Sequence, residues 1–186
     1  MKTSPFVRLV RHRWFDESDA RRVVPPEVAE RLQSRVAASE RRHTGEVRFY
    51  VEGALPLSYL WRHLRDKVPI DQIVRERAVM IFSKLRMWDT AQSNGVLIYL
   101  LLAEHAIELV ADRGVNRHVG TAEWKAMVDR LSLALSENRF EDGLTQALEE
   151  VSAVLVEHFP ASESGNANDT PPPSGSNQLP DAPVVR

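Results

Sequence analysis

The sequence predicts an α/β protein: an α/β/α sandwich in which a small mixed β-sheet, made by a βαβ crossover followed by a β-hairpin, is covered by helices. Three observations lead there. Residues 46–52 alternate, with Val47, Phe49 and Val51 on one side and Arg48 and Tyr50 on the other, as a strand does. Residues 71–87 carry Ile73, Val74, Ile81, Phe82 and Leu85 at helical spacing. Residues 96–102 are uncharged and short enough for a strand buried on both faces, and residues 107–111 form a β-branched run bounded by Asp112-Arg113-Gly114. Strand, helix, strand implies parallel pairing with a right-handed crossover. The second and third strands are joined only by residues 103–106, so they pair antiparallel.

The remaining elements follow in order. Pro25-Pro26-Glu27 opens a helix, because proline suits a first turn and an acid there complements the helix dipole. Val28, Leu32 and Val36 form its buried stripe, and it fades at Arg41-Arg42-His43-Thr44-Gly45. A helical turn is expected through Leu57 to Leu64, with Leu60, Trp61 and Leu64 in a satellite core. Gly120-Thr121 starts a helix that turns Trp124, Met127, Val128, Leu131 and Leu135 inward. A last helix over 141–159 does the same with Leu144, Leu148, Val151 and Leu155.

The 186 residues divide into a basic-apolar N-terminal arm (1–23), one α/β domain (24–160) and a tail (161–186) rich in Pro, Ser and Asn. The tail has too few large apolar residues to order itself and is expected to be disordered. A net charge of −2 supplies no basic field, so nucleic acid is not an expected partner. The absence of cysteine excludes disulfides, thiol catalysis and Cys-based zinc sites. No apolar run reaches the ~18 residues that span a bilayer. The expected location is the cytoplasm. Residues 2–15 mix Phe6, Leu9, Val10, Trp14 and Phe15 with Lys2, Arg8, Arg11 and Arg13. They read either as an arm on the domain or as a contact to an anionic membrane surface on the inner face.

The topology places several polar segments on one sheet edge: Gly45 and Glu46, Ser93 and Asn94, Asp112 and Arg113, and the loop with Asp89 and Thr90. Asp89, Asn94 and Asp112 offer hard oxygen ligands for Ca²⁺ or Mg²⁺, with Thr90, Ser93, Arg113, His118 and Glu46 as supporting or anion contacts. The same residue types also favour turns for backbone reasons. A phosphatase would need a phosphate clamp, for which Arg113 and Arg117 are candidates, and a proton carrier, for which His43 or His118 would serve. No catalytic residue is assigned. Trp88 is expected to plug the loop. No phosphate-binding, dinucleotide, zinc-protease or nucleophile-elbow motif is present, so no organic cofactor is expected.

Arg77-Ala78-Val79-Met80-Ile81-Phe82-Ser83-Lys84-Leu85-Arg86-Met87-Trp88-Asp89-Thr90, then Ser93-Asn94-Gly95-Val96-Leu97-Ile98-Tyr99-Leu100-Leu101, then Val110-Ala111-Asp112-Arg113-Gly114, resembles the TPM domain. That domain is named for a thylakoid-lumen phosphatase, a photosystem II repair protein and a nicotinic-receptor modulator. The resemblance covers about residues 24–160. It implies the α/β/α sandwich and a divalent-cation site, often for calcium, near the loop before the central strand, at the positions of Asp89, Asn94 and Asp112. Acid phosphatase activity is associated with some plant members. The usual signal peptide and C-terminal membrane helix of bacterial members are not seen here, so the chain is similar to the short bacterial branch. Two functions are therefore expected: a non-enzymatic module binding a cation and a protein partner, or a metal-dependent acid phosphatase acting on phosphomonoesters.

Overall fold

The computed structural model describes residues 12, 14, 17–161 and 182–186. Its helices are α1 (Glu17–Val23), α2 (Pro26–Glu40), α3 (Leu57–Arg65), α4 (Ile70–Lys84), α5 (Arg113–Asn116), α6 (Thr121–Ser136) and α7 (Phe140–His158). Its strands are β1 (Val47–Glu52), β2 (Val96–Leu101), β3 (Ala106–Ala111) and β4 (Val184–Val185). The sheet order is β3-β2-β1-β4. β1 pairs parallel with β2, Val47 opposite Val96, and β2 pairs antiparallel with β3, Val96 opposite Ala111. The crossover and the hairpin are those the sequence predicts.

The pleat of β1 divides the core. Val47, Phe49 and Val51 join Val96, Ile98 and Leu100 in a cluster covered by α2, α6 and α7. Tyr50 joins Leu97, Tyr99 and Leu101 under α3 and α4. Every residue of β1 and β2 is buried, so β1 must satisfy its polar side chains inside the protein. Glu52 does so with Arg77 of α4, which grips both carboxylate oxygens, Nε to Oε2 at 2.9 Å and Nη2 to Oε1. The Tyr99 hydroxyl donates to Glu52 Oε2 at 2.7 Å. Burial pushes the Tyr99 pKa up, and the Glu52 carboxylate adds to that, so the phenol stays protonated as the donor.

The structure departs from the sequence expectation at several places. α4 ends at Lys84 rather than at residue 87, and Arg86 adopts a left-handed φ of 57° that turns the chain into the loop. β2 stops at Leu101, and Leu102–Glu104 forms a 3₁₀ turn ending at His105 with φ 51°. Leu60 is buried as expected, but Trp61 is 62% exposed on the outer face of α3 and not part of a satellite core. Residues 182–186, expected as part of a disordered tail, instead place β4 along β1, Val184 opposite Tyr50 and Val185 opposite Val51. The rest of the tail reading, over 162–181, lies outside the described residues. So does most of the proposed membrane contact at 2–15. Within that stretch His12 is buried: its Nδ1 accepts from the Leu55 N–H at 3.0 Å and its Nε2 meets Glu104 Oε1 at 2.9 Å.

The Glu52 cluster can be tested through stability. Arg77→Ala leaves the buried Glu52 carboxylate without its ion-pair partner and should cost about 3–5 kcal/mol. Tyr99→Phe removes one hydrogen bond to a charged group and should cost about 1.5–3 kcal/mol. Urea denaturation of the two variants against the parent chain measures both.

Candidate functional site

The polar segments predicted to share a rim do meet at the amino end of β2. Two backbone contacts bring them together. A Cβ on Gly95 would stand 2.1 Å from the Met87 carbonyl oxygen, and one on Gly114 would stand 2.4 Å from the Gln92 oxygen and 2.5 Å from the Ser93 oxygen. No side chain fits at either point. Ser93 carries a φ of 53°, the left-handed region that non-glycine residues seldom occupy. The loop is fastened by backbone bonds on both sides: the Asp112 N–H donates to the Gly95 oxygen at 2.9 Å, and the Gly114 N–H to the Ser93 oxygen at 2.9 Å. On the β1 side, the Val96 N–H donates to the Glu46 oxygen at 2.8 Å.

The side chains act on this frame. Thr90 Oγ1 accepts from the Asn94 N–H at 3.0 Å. Asp112 Oδ1 caps α5 by accepting from the Arg113 N–H at 2.7 Å. Arg113 Nε donates to Ser93 Oγ at 3.2 Å. Asp89 is exposed and pairs with Arg86 at 3.2 Å. Thr44 Oγ1 donates to Gln92 Oε1 at 2.8 Å, so it must accept from Asn94 Nδ2 at 3.1 Å. That fixes the orientation of the Asn94 amide and leaves its Oδ1 buried without a hydrogen-bond partner. Asn94 itself is fully buried.

Of the predicted set, Thr90, Ser93, Asn94, Asp112, Arg113 and Glu46 thus gather at one edge. Asp89 stands outward on Arg86. His118 belongs to another contact: its ring stacks on His158 with centroids 4.2 Å apart and meets Phe159 edge-on at 5.6 Å. Trp88, expected to plug the loop, is 52% exposed. The loop already closes on the buried Met87 beneath Gly95 and has no room for an indole.

A divalent cation requires a cluster of oxygen ligands. The orphaned Asn94 Oδ1 suits one such position. Among the described residues, however, no three His, Asp or Glu side chains converge in a way that could hold a metal ion. The residues present therefore fit a cation held by the Asn94 oxygen with at most one carboxylate beside it, not one in a carboxylate cage.

His43, the other predicted proton carrier, is buried 4 residues from Ser39, and its Nε2 lies 2.8 Å from Ser39 Oγ. Ser39 Oγ also meets Ser152 Oγ, and Ser152 Oγ donates to the Leu148 oxygen at 2.6 Å. The direction of this chain follows from its end. Ser152 spends its proton on Leu148, so Ser39 donates to Ser152 and His43 Nε2–H donates to Ser39. A histidine that donates to the serine cannot remove its proton, so the pair is a structural brace between α2 and α7. Ser39 and Ser152 line a cleft of about 360 Å³ together with Arg35, Arg42 and Thr145. The sequence offers His43 as a proton carrier, but nothing in it marks Ser39 or Ser152 as its partners.

This is an α/β/α sandwich with a mixed sheet and a glycine-fastened loop rim at the head of its central strand. The family model described as the TPM domain matches residues 18–154, and the chain belongs to that family. Its fold is similar to the solution structure of the BA42 protein from the psychrophilic bacterium Bizionia argentinensis. The TM-score is 0.65 at 22% identity, over 85% of this chain and 92% of that one. A comparison with curated proteins finds no match. Among the described residues no helix is long and apolar enough to cross a membrane.

Two outcomes are expected from this geometry. Gly95→Ala should destabilise the fold by more than about 3 kcal/mol, since the new methyl meets a backbone carbonyl that cannot move aside; the urea midpoint reads this. His43 has its pKa lowered from 6.5 to about 4, first by burial, with the Gly45 backbone opposing and Arg42 assisting. Its neutral form is the folded one, so the unfolded chain takes up the proton first. Stability should be complete above pH 6.5 and fall between 6.5 and about 4. His43→Gln should flatten that fall, as urea midpoints measured across the window would register.

Proposed function

We propose that this chain is a non-catalytic TPM-type binding module that meets a protein partner at the loop rim, with a divalent cation as a secondary and weakly held ligand. The observation that carries this reading is how the rim is used. Thr90, Asp112, Arg113 and the Asn94 amide nitrogen are committed to holding the loops in place, while Trp88 stands half exposed on the same rigid frame. An exposed tryptophan two residues along the chain from Arg86, on a loop braced at both ends, has the composition of an interface anchor. The phosphatase alternative would draw on the carboxylates of Asp89 and Asp112, but one is paired with Arg86 and the other caps α5. Asn94 Oδ1 would provide the fixed cation ligand, with the free oxygen of Asp112 and water completing a site of low charge, and such sites bind Ca²⁺ in the range of about 0.1–1 mM.

Titration with CaCl₂ and MgCl₂, followed by amide NMR, tests this. Shifts should be confined to Asn94, Gly95 and residues 112–114 and vanish in Asn94→Ala. p-Nitrophenyl phosphate should not be turned over with either ion. Trp88→Ala should leave the melting temperature within about 2 °C of the parent, as a surface residue does. Silence toward both ions would remove the cation from the reading. Turnover that is lost in both Asp89→Ala and Asp112→Ala, with the fold intact, would overturn the module and favour the phosphatase.

A further inference from the structure

The carboxyl end of the sheet presents a second surface, independent of the rim. Without β4, the outer edge of β1 would end the sheet with its backbone groups open. Residues 182–186 lie along that edge. The Arg186 N–H donates to the Val51 oxygen at 2.9 Å, and the Gly53 N–H donates to the Arg186 oxygen at 2.6 Å. Val184 packs into the cluster under α4, and Val185 into the cluster on the opposite face. α1 lies against both β1 and β4 and forms one wall. Pro183, Val184 and Val185 are only half buried. A strand of two residues held this way has few contacts to lose, so it is an exchangeable occupant.

We propose that the outer edge of β1 is a groove for an extended peptide of a partner protein, one with two adjacent β-branched residues followed by arginine, and that residues 182–186 fill it in cis as a competitor. The occupant already present defines the chemistry. Main-chain bonds from Val51 and Gly53 give affinity without regard to sequence. Specificity comes from the alternation, since neighbouring side chains must enter apolar clusters on opposite faces of the sheet. The arginine that follows turns to the same face as Tyr50, where the phenol hydroxyl is its neighbour.

The full chain carrying Val184→Asp and Val185→Asp frees the edge. Gly53 amide exchange should then be roughly tenfold faster than in the parent, with the β2 and β3 amides unchanged. An acetylated, amidated peptide Ala-Pro-Val-Val-Arg should restore protection at Gly53 and shift the amides of residues 50–53 saturably. The peptide Ala-Pro-Asp-Asp-Arg should do neither. If the double aspartate variant does not fold, Val184→Ala with Val185→Ala gives the same readouts. Equal Gly53 exchange in parent and variant, or no response to the first peptide, would overturn the proposal. Gly53 protection in the parent that rises with protein concentration, together with dimer formation, would seat a second copy in the groove and overturn the assignment to a separate partner.

Discussion

Backbone lying directly on backbone at Gly95 and Gly114 is the constraint from which the amino end of this protein follows. At those two points the carbonyls of Met87, Gln92 and Ser93 occupy the space of a side chain. The close approach draws the α4–β2 loop, the head of β2 and the exit of β3 into one layer, and it forces the left-handed turn at Ser93. The polar side chains around it then brace rather than reach outward. Thr90, Asp112 and Arg113 each satisfy a backbone group or a hydroxyl within the layer. What the rim leaves unused is the buried oxygen of Asn94 and the exposed indole of Trp88.

The opposite end of the sheet is built on different physics. There β1 places a carboxylate inside the protein, and α4 answers with a two-pronged guanidinium while β2 contributes a phenol. Two segments distant in sequence close over that end. His12 bridges Leu55 and Glu104, and β4 extends the sheet. The molecule therefore offers two unlike surfaces: a rigid loop layer at one end and a strand edge at the other.

The alternation of Val47, Phe49 and Val51 and the uncharged run in β2 were enough to derive the sheet, because burial of a pleated face dictates side-chain period directly. The gathering of Ser93, Asn94 and Asp112 at one edge was legible for the same reason, since it follows from strand direction alone. Other features depend on distant residues and left no local mark. Val184 and Val185 are good strand formers, but a run of two in a Pro-rich segment is too short to mark a strand; the open edge of β1 makes them one. Trp88 looked like a plug because aromatic residues usually seek the interior, but the glycine contact had already filled that space. His118 sits beside the rim in sequence, yet its stacking on His158 and Phe159 decides where its ring points.

The polar residues on β1 also bear on how the chain finds its pairing. Arg48 and Glu52 lie on one face of the strand, and the cluster opposite is wholly aliphatic and aromatic. If β1 slid by a single residue along β2, both charges would be thrust among those hydrocarbons and Glu52 would lose its grip on Arg77. Such a misaligned state carries its own penalty, so an error in strand alignment is unstable from the moment it forms, and the correct alignment is selected by what the wrong one would bury.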